Sequence, residues 1–132
     1  MEVLKPSQLP GIEQASAFAE SICPELVKVG HRFCMQCDEA HCSDPRKIAH
    51  ARHINDQTIC WSHAVCGLPI EHQIGIALHE YGHILADESG CGNDFDIEAA
   101  ADLAVLQVFG IEIKYVGDLE LQWVSEEALR NA

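Results

Sequence analysis

The chain has 132 residues, 48% of them hydrophobic and only 6% aromatic. That suffices for one compact domain with a largely aliphatic core, is too little for two ordinary domains, and excludes a chain disordered by composition. The formal net charge of −13 repels a phosphate backbone and argues against nucleic acid as a direct partner, despite a local basic stretch at Arg46, Lys47 and Arg52.

At the N-terminal end nothing combines basic residues, an apolar run and a small-residue cleavage site, and no apolar stretch approaches the roughly 20 residues that span a bilayer. The expected setting is cytoplasmic, without membrane contact. The first element is a helix over 12–22, where Ile12, Ala15, Ala19 and Ile22 recur at helical spacing and Pro24 blocks continuation. From Gly30 to Cys66 the character changes, since five of the seven cysteines and five of the eight histidines fall there. Within it, Gln57–Ser62 alternates Thr58, Cys60 and Ser62 with Ile59 and Trp61, the pattern of a strand. Cys60 and Cys66 flank Trp61 and are expected to pack as small hydrophobes.

The clearest helix follows. Pro69 suits a first helical position, Ile70, Ile74, Ala77, Leu78, Tyr81 and Leu85 recur every three or four residues, and Gly90 is a natural stop. A short polar loop leads to a second strong helix, Phe95 to Phe109, with Asp94 or Asp96 to cap it and Gly110 to end it. Ile111–Val116 reads as a strand or an extended link. Residues 118–130 read as a last helix, burying Leu119, Trp123, Ala128 and Leu129 on one stripe. These elements make one α+β domain over 1–132, mainly helical, with a small edge sheet beside the central helix and a Cys/His-rich segment at 31–66.

Residues 79–83 read HEYGH, an instance of H-E-x-x-H. Side chains four apart on a helix share a face, so His79 and His83 can reach one ion. Zinc takes imidazole nitrogen at about 2.0–2.1 Å and prefers about four ligands, which leaves a place for water. Glu80 sits about 100° around the helix, beside the ligands, where its carboxylate can take a proton from water that the ion has acidified. The alternative is an amphipathic helix with two surface or core-edge histidines and an unrelated glutamate. Against it stands the apolar setting of Ile76, Leu78, Ile84 and Leu85, where ionisable groups without partners are costly to bury.

A third ligand is needed. Ala86 and Ser89 occupy the positions where a metzincin would carry glycine and histidine. On the next helix Glu98 and Asp102 lie four apart, separated by small alanines that permit close helix approach. The short loop makes the two helices antiparallel neighbours, which brings Glu98 toward the ion. Asp102 then falls where it can accept a hydrogen bond from the far nitrogen of a liganding histidine. Asp87, Asp94 and Asp96 compete for the same role. An oxyanion donor is also expected in such a site, with Tyr115 or a histidine of the N-terminal half as candidates, while Tyr81 is expected to face the core.

This arrangement, H-E-x-x-H followed by a glutamate and aspartate on the next helix, resembles the gluzincin pattern. Residues 58–110 look like the core of the small ImmA/IrrE-like and related phage or bacterial metallopeptidases. The resemblance covers less than half of the chain. It implies an edge strand ahead of the active-site helix, His79, His83 and Glu98 as zinc ligands, Glu80 as general base and Asp102 supporting a ligand.

A second zinc is the other metal expectation. Cys34 and Cys37 form C-x-x-C, and Cys42 with His31 or His41 completes four ligands for a structural ion. The competing readings are reduced thiols, or a thiol-based redox or metal sensor. His50, His53 and His63 read as ordinary surface or core histidines. The leading functional expectation is zinc-dependent hydrolysis of a peptide bond in a protein or peptide substrate, limited to specific partners, with Gln57–Ser62 as a strand to which substrate adds. The alternative is a non-enzymatic module in which the zinc site serves as scaffold or sensor.

Overall fold

In the computed structural model, which describes residues 8–33, 48–52, 57–86 and 95–132, the first element is helix α1 (Pro10–Ile22). Pro10 sits in its first turn, where a missing N–H costs nothing, and Ile12, Ala15 and Ala19 are buried as their spacing predicts. Pro24 ends the α-helix and opens a 3-10 turn, Pro24–Lys28.

Three short strands follow: β1 (Gly30–Phe33), β2 (Ala49–Arg52) and β3 (Thr58–Trp61). Their order in the sheet is β1-β3-β2. β3 is paired on both sides, parallel to β1 with His31 opposite Ile59, and antiparallel to β2 with Ala51 opposite Ile59. All four β3 residues are buried, so the alternation in the sequence does not mark one wet face and one dry face. It marks a central strand covered on both faces. The expectation that substrate adds to this strand is therefore corrected, because its backbone groups are already spent on β1 and β2.

After a 3-10 turn at His63–Gly67, helix α2 (Ile70–Leu85) runs through the middle of the molecule. Pro69 is its N-cap and Ala86 its C-cap; Gly90, the expected stop, lies outside the described residues. Every residue from Gln73 to Ile84 is buried, which requires neighbours all round. α1, the sheet and helix α3 (Phe95–Phe109) supply them together with a C-terminal hairpin. Gly110, at φ +71°, ends α3 in the left-handed conformation that favours glycine.

The hairpin pairs β4 (Lys114–Val116) with β5 (Leu121–Trp123), Tyr115 opposite Gln122. The helix expected over 118–130 is thus corrected. Gly117 at φ +91° and Glu120 at φ +48° turn the chain instead, leaving Leu119 exposed and placing Trp123 on a strand. Only helix α4 (Glu126–Asn131) forms, with the Ser125 side chain accepting from the backbone N–H of Ala128. The fold is α+β and mainly helical. Among the described residues no helix is long and apolar enough to cross a membrane.

Candidate metal centre

Two helices build the site, and one glycine sets their separation. A Cβ at Gly82 would lie 2.3 Å from the carbonyl oxygen of Ala101, so α2 and α3 meet there backbone to backbone. Either side of that contact, α2 offers His79 and His83 and α3 offers Glu98 and Asp102. His79 and His83 are 1% and 0% exposed, and Glu98 and Asp102 are each 26% exposed.

The polar atoms converge. His79 Nε2 lies 2.7 Å from Glu98 Oε2 and 3.1 Å from His83 Nε2, and His83 Nε2 lies 3.3 Å from Glu98 Oε1. On the other side of the His79 ring, Nδ1 lies 2.6 Å from Asp102 Oδ1. A carboxylate can only accept, so Nδ1 carries a proton and donates it to Asp102. In the neutral ring Nε2 then presents a lone pair toward the Glu98 carboxylate and the second imidazole. Such a set of acceptors needs a cation between its members, either a proton or a metal ion. Four ligands at about 2.0–2.1 Å around zinc sit about 3.3 Å from one another in a tetrahedron. The observed spacings are close to that, with the His79–Glu98 pair drawn in to hydrogen-bond distance. His79, His83 and Glu98 form a group that can hold a metal ion.

Without an ion, the proton is held tightly. Burial by itself lowers the pKa of His79, but hydrogen bonds to Asp102 and Glu98 and the nearby charges of Glu80 and Asp102 reverse this and raise it to about 10. For Glu98, burial acts to raise the pKa, and the hydrogen bonds from His79 and His83 overcome it and hold the carboxyl far below its usual range. Glu80 is 4% exposed, and its charge is among the causes that raise the pKa of His79. His83 Nδ1 is buried without a hydrogen-bond partner among the described residues, so only one of the two imidazoles is fixed from behind.

Tyr115 donates its hydroxyl proton to Asp102 Oδ2 at 2.5 Å, so it bears on His79 through Asp102. Partial burial, the bond to Asp102 and the charges of Asp102, Glu98 and Glu80 keep the phenol protonated well above its usual range, although 45% of the residue is exposed. Asp96 lies inside the first turn of α3, and Asp87 and Asp94 are outside the described residues. Of the proposed structural zinc ligands, Cys34, Cys37, Cys42 and His41 are also outside them, as is His53. His63 is exposed and stacks on Phe33, with ring centroids 4.3 Å apart. Cys60 is buried as expected, whereas Cys66 is exposed.

His31 is corrected as a metal ligand, because both its ring nitrogens are engaged elsewhere. Trp61 Nε1–H donates to His31 Nδ1 at 3.0 Å, so Nε2 carries the proton and donates to the Tyr81 hydroxyl at 3.2 Å. Tyr81 in turn donates to Ser16 Oγ at 2.9 Å. Burial lowers the pKa of His31 to about 4, so the ring is neutral. This thread joins β3, β1, α2 and α1, and Tyr81 faces the core as expected. No local pattern announces it, since its four members come from four separate elements.

Comparisons of the chain with protein-family models, curated proteins and solved structures return no match.

Proposed function

We propose that this chain is a zinc-dependent peptidase that makes limited cuts in specific protein partners. The observation that carries the reading is the convergence of His79 Nε2, His83 Nε2 and the Glu98 carboxylate on one point, with Asp102 holding His79 from behind. Two imidazoles and a carboxylate suit zinc, and three protein ligands leave a position open. When bound, the ion supplies Lewis acidity, which polarises a scissile carbonyl and makes water acidic near neutral pH. Glu80 takes the proton of the attacking water and passes it to the departing amine. Asp102 keeps the Nε2 of His79 directed at the ion by accepting the proton on Nδ1. We place an extended substrate on the outer edge of β2, since β3 has no free side and β2 packs against α2. A cytoplasmic setting accords with Cys23, Cys60 and Cys66 being free thiols.

The decisive experiment separates holding the ion from chemistry. E80Q is expected to bind one zinc at this site while cleavage of a peptide library falls by about 10²–10⁴-fold. Full cleavage by E80Q overturns Glu80 as the base, full biological activity in an E80Q protein that no longer cleaves overturns the peptidase reading, and bound zinc with no cleavage by the wild type favours a non-enzymatic module. A second reading rests on the 2.7 Å His79–Glu98 contact and the raised pKa of His79, which also fit an ion-pair cluster joined by a proton. Elemental analysis of protein expressed with ample zinc decides between the two.

A further inference from the structure

Tyr115 stands on β4, in the C-terminal hairpin, yet its hydroxyl reaches across to α3. The hairpin is seated firmly: β5 packs on α2 so closely that a Cβ at Gly75 would lie 2.5 Å from the backbone nitrogen of Trp123. His72 Nδ1 also lies 2.7 Å from the carbonyl oxygen of Gln122, and Val124 N–H donates to the carbonyl oxygen of Glu71. Tyr115 pairs directly with Gln122 across the hairpin. The strand that carries the phenol is therefore fixed to the same helix that carries His79.

Asp102 needs such a support. It is 26% exposed, so its carboxylate has water as an alternative partner and rotamers in which Oδ1 leaves the imidazole. Its two oxygens are divided, Oδ1 to His79 Nδ1 and Oδ2 to the Tyr115 hydroxyl. Two donors on opposite oxygens determine the plane of the carboxylate, which one donor leaves free to swing. We infer that Tyr115 is a positioning residue: by holding Asp102 Oδ1 on His79 Nδ1, it directs His79 Nε2 at the ion and raises the affinity of the site for metal.

The inference rests on the metal reading above, and its test is arranged so that the two can fail separately. Y115F removes one oxygen at a half-exposed position and leaves the ring in place. Zinc affinity is measured by competition with a chromophoric chelator, and the His79 Nδ1–H proton is followed by NMR in zinc-loaded and metal-free protein. Affinity is expected to fall about tenfold, the lower end of what loss of a ligand's outer partner costs. The Nδ1–H signal, slow to exchange with water in the wild type, is expected to broaden in both states. In a D102A background the same change is expected to add no further loss of affinity. An unchanged Nδ1–H signal in Y115F overturns the inference, as does unchanged affinity or an equal loss in D102A. Should the wild type bind no zinc, the metal reading fails by itself, and the metal-free NMR comparison still decides the role of Tyr115.

Discussion

α2 buries an imidazole cluster on one side and touches another buried imidazole on the other, and the two have opposite fates. His31 and His79 are both nearly inaccessible to water, at 7% and 1% exposed. Burial drives each toward neutrality. His31 meets only the neutral donor and acceptor of Trp61 and Tyr81 and settles at about 4. His79 meets Asp102 and Glu98 and rises to about 10. The difference lies in the bookkeeping of donors and acceptors. The Trp61–His31–Tyr81–Ser16 thread alternates them, so the protons of Trp61, His31 and Tyr81 each have one taker, and no ion is called for. The His79–His83–Glu98 group has more lone pairs than protons, so something positive must enter. A buried histidine thus says little about function until the charge of its partners is known.

The largest expected effect comes from supplying that positive charge. Zinc at about 1,000 times its dissociation constant stabilises the folded state by about 4 kcal/mol. Urea unfolding with and without zinc measures this increment, which is expected to vanish in H83A. An increment that survives in H83A places the ion elsewhere.

Next in size is the pH dependence, where the two histidines act in opposite directions. The folded pKa of His31 lies below its ordinary value of 6.5. The neutral thread therefore contributes its full stability above about pH 6.5, and loses it as pH falls toward 4, by about 3 kcal/mol in all. The folded pKa of His79 is raised, so in metal-free protein its contribution is complete below about pH 6.5 and is lost as pH rises through about 10. Unfolding measured across this range is expected to lose its acid limb in H31Q and its alkaline limb when zinc is bound. If the acid limb persists unchanged in H31Q, the assignment to His31 fails.

The smallest effect tests whether the two regions are independent. Y81F removes the hydroxyl between His31 and Ser16 and is expected to cost about 1–2 kcal/mol of stability. Zinc affinity should stay within about twofold, as for sites that share no partner. A larger loss of affinity means that the thread sets the rotation of α2 and that the two regions are coupled.

Much of the candidate metal site is legible in the sequence because its signals are local. His79 and His83 are four apart on a helix whose apolar period is plain, and Glu98 and Asp102 repeat that spacing on the next. The alanines between them signal a close approach, but nothing in the local pattern marks Gly82 as the residue that completes it. What the sequence concealed depends on distant partners. β3 shows its own β-forming residues but not that β1 and β2 would occupy both its edges. The stripe of Leu119, Trp123, Ala128 and Leu129 imitates a helix because the pattern is blind to the turn made by Gly117 and Glu120. Tyr115 and His31 were noticed as residue types with chemistry. Their actual roles follow from hydrogen bonds to residues 13 and 30 or more positions away, which no window on the chain contains.

One consequence of the Gly82–Ala101 contact reaches beyond stability. With a would-be Cβ only 2.3 Å from the Ala101 carbonyl oxygen, the two helices have little side-chain cushion at this point beyond Val105, whose Cγ2 lies 2.9 Å from the same Cβ. The bite of the site is gauged by the peptide chain itself, so exchanges among isoleucine, valine and leucine elsewhere can accumulate without detuning it. Position 82 bears the whole burden in return: any larger residue there is a wedge, and it would pry the imidazoles from the carboxylate in a single step.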